Sequence, residues 1–115
     1  MDDKTWIGTW NRVDAAPLFP YTLKISPMTE EQLVPIEFTM GGLLLQTCPW
    51  IGTVCQDRQS NRYSGTLTMA MSSGGHVQSK VILLFHSSKQ LLTLRVERKS
   101  SSTLEYDDYD FQKSQ

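Results

Sequence analysis

Two cysteines, two histidines and an acidic run are the residues here whose types invite chemistry. Cys48 and Cys55 flank Pro49-Trp50-Ile51-Gly52-Thr53-Val54. In a reducing compartment they are expected to be buried thiols, and across a hairpin they meet only if the register sets them opposite each other. With His76 and His86 they make four soft ligands, but their spacing matches no zinc pattern, so no metal and no cofactor is expected. His76 adjoins a glycine turn and His86 a strand end, both surface positions where solvation outweighs general-base work. Asp107-Asp108-Tyr109-Asp110 reads either as a cation site or as a solvated face, and the second reading is favoured. There is no Gly-x-Ser-x-Gly elbow, phosphate loop or His-Glu-x-x-His pair. A barrel cyclase or lyase that works by shaping its ligand would leave no motif, so the sequence leaves open whether the chain is an enzyme.

These residues fall on strands or on the turns between them. Period-two alternation recurs throughout, and a helical period is almost absent. Residues 4–14 predict a first strand and residues 21–26 a second. Ser26-Pro27-Met28-Thr29-Glu30-Glu31-Gln32 reads as a helical turn or a polar loop, with Thr29 and Gln32 spaced like a capping box. Val34, Ile36, Phe38 and Met40 alternate with polar residues, and Pro35 predicts an edge or a bulge there because it lacks a donor. Gly41-Gly42 suggests a hairpin into residues 43–48. Cys48-Pro49-Trp50-Ile51-Gly52 reads as a turn before a short strand ending at Gln56. Strands are then expected over 63–71, 76–86, 91–98 and 103–113. In the last of these Leu104 and Tyr106 share one parity while Tyr109 and Phe111 share the other. A bulge at Asp107-Asp108 would reconcile them. Eight or nine strands with tight connections predict an all-β, up-and-down meander, which loses its exposed edges by closing into a barrel.

A length of 115 residues gives a single β-barrel domain over 1–115, and 39% hydrophobic with 20% charged residues is ordinary for a soluble protein. No run approaches the ~18 apolar residues of a membrane helix, so no membrane span is expected. The chain starts Met1-Asp2-Asp3-Lys4-Thr5 without a charged leader and apolar block, which gives a cytoplasmic expectation. The net charge of −1 is unevenly spread: residues 41–99 hold seven bases against two acids, and residues 100–115 hold four acids against one base. The basic centre could attract an anionic partner, though solvating charges on outward strand positions explain it as simply. The bases are scattered and no RNA-binding motif is present, so no nucleic acid is expected.

Trp6-Ile7-Gly8-Thr9-Trp10 stands where a barrel would begin. Gly8-Thr9-Trp10 on a first strand, followed by a meander, resembles the calycin group, the lipocalin-like barrels. The resemblance implies that Trp10 closes the barrel's base with Trp6 and Gly8, and that a late arginine, Arg95 or Arg98, packs over it. Such a contact would be cation–π in nature. The chain departs from that group in lacking a long helix before its last strand and a helical lid.

An eight-stranded barrel either fills its interior or holds one small ligand. Tyr63, Leu67, Met69, Phe85 and Tyr106 are the expected lining for a small apolar or aromatic ligand; the same residues would also serve a filled core. Ile82, Leu84 and Leu91 lie on the opposite parity. They are candidates for an outer apolar patch through which a homodimer or a partner protein would dock.

Overall fold

The structure, a computed structural model, describes residues 6–13, 21–41, 49–58, 61–71, 73–86, 90–99 and 103–113. Among these residues eight strands follow one another: β1 (Gly8–Arg12), β2 (Tyr21–Ile25), β3 (Val34–Met40), β4 (Trp50–Gln56), β5 (Arg62–Ala70), β6 (His76–His86), β7 (Leu91–Lys99) and β8 (Leu104–Lys113). Each pairs antiparallel with its sequence neighbour, and β1 pairs with β8, so the sheet is a closed barrel in simple up-and-down order. The closing seam sets Trp10 opposite Lys113 and Arg12 opposite Phe111. The Val13 amide adds a bond to the Asp110 carbonyl at 2.9 Å. Closure leaves the meander no first or last strand to expose.

The alternation of residue types sets which face is inside. Leu23 and Ile25 on β2, Val34, Ile36 and Phe38 on β3, and Val81, Leu83 and Phe85 on β6 are all buried; Lys24 and Glu37 face out between them on β2 and β3, while on β6 the outward positions are Ile82 and Leu84. Each such side chain contributes about 1.5–3 kcal/mol by leaving water. β4 and β5 approach most closely at two inward glycines. A Cβ on Gly52 would run into the Thr66 carbonyl oxygen, and one on Gly65 into that of Thr53. Both positions therefore require glycine where the sheet coils tightly.

Several expected details are corrected by long-range pairing. Pro35 makes β3 neither an edge nor a bulge: β3 pairs without interruption to β2 and β4, and the Pro35 carbonyl accepts from the Ser26 amide at 3.0 Å. The missing donor costs little this close to the strand's start. Trp50, Ile51 and Gly52 are not a turn but the start of β4, where Trp50 faces Phe38. The segment around Thr29 is a turn rather than helix. Thr29 accepts the Gln32 amide through its carbonyl and the Leu33 amide through its hydroxyl, and Gln32 takes a φ of 65°. Residues 43–48, Cys48 among them, lie outside the described residues, while Cys55 is an exposed free thiol rather than a buried one.

β8 carries the correction that matters most for function. Its register against β7 runs unbroken from Leu91–Gln112 to Lys99–Leu104, so there is no bulge at Asp107-Asp108. With Phe111 buried inside, strict alternation sends Tyr109 and Asp107 inward and Leu104 and Tyr106 outward. Tyr106 is accordingly 51% exposed and not part of the interior.

Candidate functional site

The barrel's two ends differ. At the base, Trp6 precedes β1 rather than belonging to it, and its ring lies on Trp10 with centroids 5.5 Å apart and planes 17° apart. The Trp10 Nε1–H donates to the Trp6 carbonyl oxygen at 3.0 Å, so the buried indole has its polar partner. Gly8 takes a φ of 130°, in the region that favours glycine, and so lets the chain swing from Trp6 into β1. Phe85 packs against Trp6 at 4.2 Å, and Tyr63 meets Phe85 edge-on at 5.4 Å. Asn61 holds the β4–β5 turn against β6: its carbonyl takes the Phe85 amide, and its side-chain amide donates to the Phe85 carbonyl. Trp6, Gly8 and Trp10 thus come together at this end of the barrel. Tyr63 and Phe85, expected around a ligand, stand in this filled base instead.

Arg95 does not pack over Trp10. It lies on the outer parity of β7, where Nε and Nη2 donate to the Asp108 carboxylate at 2.8 and 3.0 Å and the guanidinium stands 5.8 Å from the Tyr106 ring. The Arg95 hydrogen bond holds the Asp108 carboxyl below its ordinary range. The Trp6 ring stacks on Trp10 instead.

The other end holds a cavity of about 560 Å³. Phe38, Trp50, Leu67 and Val81 give it apolar and aromatic walls, and Ser79, Arg98, Asp107 and Tyr109 bring polar groups to it. Of the five expected lining residues only Leu67 reaches it. Met69, half-buried on the same strand, sits opposite Val77, which also lines the space. Arg98 lies on the inner parity of β7. Its Nη2 contacts the Glu105 carboxylate at 2.7 Å and its Nε the Asp107 carboxylate at 3.2 Å. Beside them burial pushes the Tyr109 phenol above its ordinary pKa, helped by the Asp107 charge. Arg12, on the β1 side, stands 4.7 Å from the Tyr21 ring and 5.2 Å from that of Tyr109.

The cavity reaches the surface through a split in the sheet. β6 and β7 pair from His86–Leu91 to Val81–Val96. Beyond that β6 continues back to His76 and β7 onward to Lys99, with no pairs between them among the described residues. Consecutive residues of both strands, Gln78 to Lys80 and Glu97 to Arg98, line the space. Alternation allows this only where a cavity meets strand edges.

No family model, no curated protein and no solved structure matches this chain.

The site therefore rests on its geometry. Sequence reasoning gave Trp50 to a turn and Asp107 to a bulge, and took Arg98 only as an alternative to Arg95. The usable signal was the inner parity of Arg98 with Leu92 and Leu94. On the outer face Ile82 and Leu84 are half-buried between Ser64 and Arg62 on β5 and Arg95 and Thr93 on β7, and Leu91 faces His86 and Gln112. Polar neighbours narrow the apolar surface these three present. Thr93 donates its hydroxyl to Asp110 at 2.6 Å and sits 3.0 Å from His86 Nε2. Because that hydroxyl has one proton, His86 is the donor in the second contact. The three residues brace β6, β7 and β8 on the outside of the barrel. Three arginines of the basic centre are answered by acids: Arg62 pairs with Asp57, while Arg95 and Arg98 pair with β8.

Proposed function

We propose that this protein is a small-molecule binding protein of lipocalin-like type, holding an apolar or aromatic ligand in the mouth cavity above the tryptophan plug. The observation that carries the reading is the cavity of about 560 Å³ with Phe38, Trp50 and Leu67 in its wall. That size and mixed lining are typical of small-molecule pockets. The closed eight-stranded meander and Gly8-Thr9-Trp10 at its start support the calycin architecture. Among the described residues neither Arg95 nor Arg98 packs over Trp10, a departure from that group.

The test uses a neutral fluorescent probe, N-phenyl-1-naphthylamine, on the full chain and on Val96→Phe, which narrows the cavity from β7. Saturable binding near one probe per chain, weakened in Val96→Phe at unchanged unfolding midpoint, is the expected result. A non-saturating signal, or one indifferent to Val96→Phe, overturns the reading.

A further inference from the structure

The charges at the cavity mouth select the ligand's head group. Arg98 is the arginine in the cavity wall, and an arginine there would ordinarily favour a carboxylate. Here its Nη2 and Nε are already paired, with Glu105 at 2.7 Å and Asp107 at 3.2 Å. One guanidinium against two carboxylates leaves this cluster with a net charge of −1. The other charged wall residues, Lys80 and Glu97, offset each other. Arg12 stands over the Tyr21 and Tyr109 rings and is not part of the wall.

An anionic head at Arg98 would share one guanidinium with two carboxylates and be repelled by both. A protonated amine meets the opposite situation. It finds carboxylate lone pairs at Asp107 and the faces of Trp50 and Tyr109 in the same wall, and both kinds of group attract a cation. The apolar residues below, Phe38, Leu67 and Val81, suit a hydrocarbon or ring.

We propose that the cavity takes amphiphiles whose head is a protonated amine and discriminates against carboxylates carrying the same tail. This rests on the reading of the cavity as a ligand site. The pairs at the mouth are part-exposed, so screening limits the discrimination to about three- to tenfold.

The experiment compares decylamine, decanol and decanoate, each below its aggregation concentration, by calorimetric titration at low salt and neutral pH. Decylamine is expected to bind about three- to tenfold tighter than decanoate, with decanol between and the gap shrinking in salt. In Glu105→Gln/Asp107→Asn, which frees Arg98, the order of amine and carboxylate reverses. The single variant Asp107→Asn shrinks the gap. Equal affinities in the parent, or decanoate the tightest, overturn the head-group proposal while leaving the cavity reading intact. An order unchanged in the folded double variant also overturns it. No binding by any of the three overturns both.

Discussion

At the base of the barrel Trp6 lies on Trp10, Phe85 on Trp6 and Tyr63 on Phe85, and every one of these rings is buried. At the mouth, Tyr21, Phe38 and Tyr109 also meet ring to ring, between 5.3 and 6.2 Å apart, but two of the three are only half-buried. The same residue types thus serve a plug in one place and a wall in the other. Neighbours decide which. The base rings pack on one another, with the Trp10 N–H satisfied by the Trp6 carbonyl and the Asn61 amide beside Phe85, whereas the mouth rings stand beside Arg12, Arg98 and Asp107. Apolar rings with apolar neighbours close up. Those with charged neighbours must keep contact with water.

This contrast can be broken most directly with the tryptophans. Trp10→Ala removes a 1% exposed side chain and is expected to cost about 3–5 kcal/mol in denaturant unfolding. Trp50→Ala at the half-buried mouth is expected to cost about 1 kcal/mol while weakening probe binding. Equal losses at the two sites would show that the mouth is core. A smaller effect is expected from Arg12→Ala, about 0.5–1 kcal/mol, because a part-exposed cation over two rings is worth little more. Because Arg12 is not in the cavity wall, affinity for the neutral probe should stay unchanged; a loss would place Arg12 in the ligand site.

The smallest effect belongs to the outer face. Asp108 has its folded pKa depressed by the Arg95 hydrogen bond. Its contribution is therefore present above the ordinary carboxylate range and lost as pH falls through the depressed value. The pair is solvent-exposed, so Asp108→Asn should cost at most ~0.5 kcal/mol at neutral pH. In strongly acidic solution the difference from the parent should vanish. A difference that grows on acidification contradicts this assignment.

Where local pattern and core burial agreed, the sequence was legible. Val34, Ile36, Phe38 and Met40 mark β3 to the residue, and the pairing of Trp6 with Trp10 was visible from Gly8 between them. The errors cluster at the mouth. Trp50-Ile51-Gly52 looked like a turn because glycine is read locally as flexibility. Gly52 is there because a carbonyl from β5 occupies the space of its Cβ. The Asp107-Asp108 bulge was inferred by requiring Leu104 and Tyr106 to be inside. That rule holds only where the interior is dry, and at the mouth Arg98 makes inward acids stable.

The split between β6 and β7 gives the barrel a clasp. Past Val81 and Val96 these strands are each tied to a neighbour on one side only, to β5 and to β8. Spreading them breaks no ladder bond between them, so the mouth can widen while the closed hoop below stays intact. On the binding role proposed above, the bending of two strand ends sets how fast a ligand enters or leaves, while stability is set separately at the tryptophan plug.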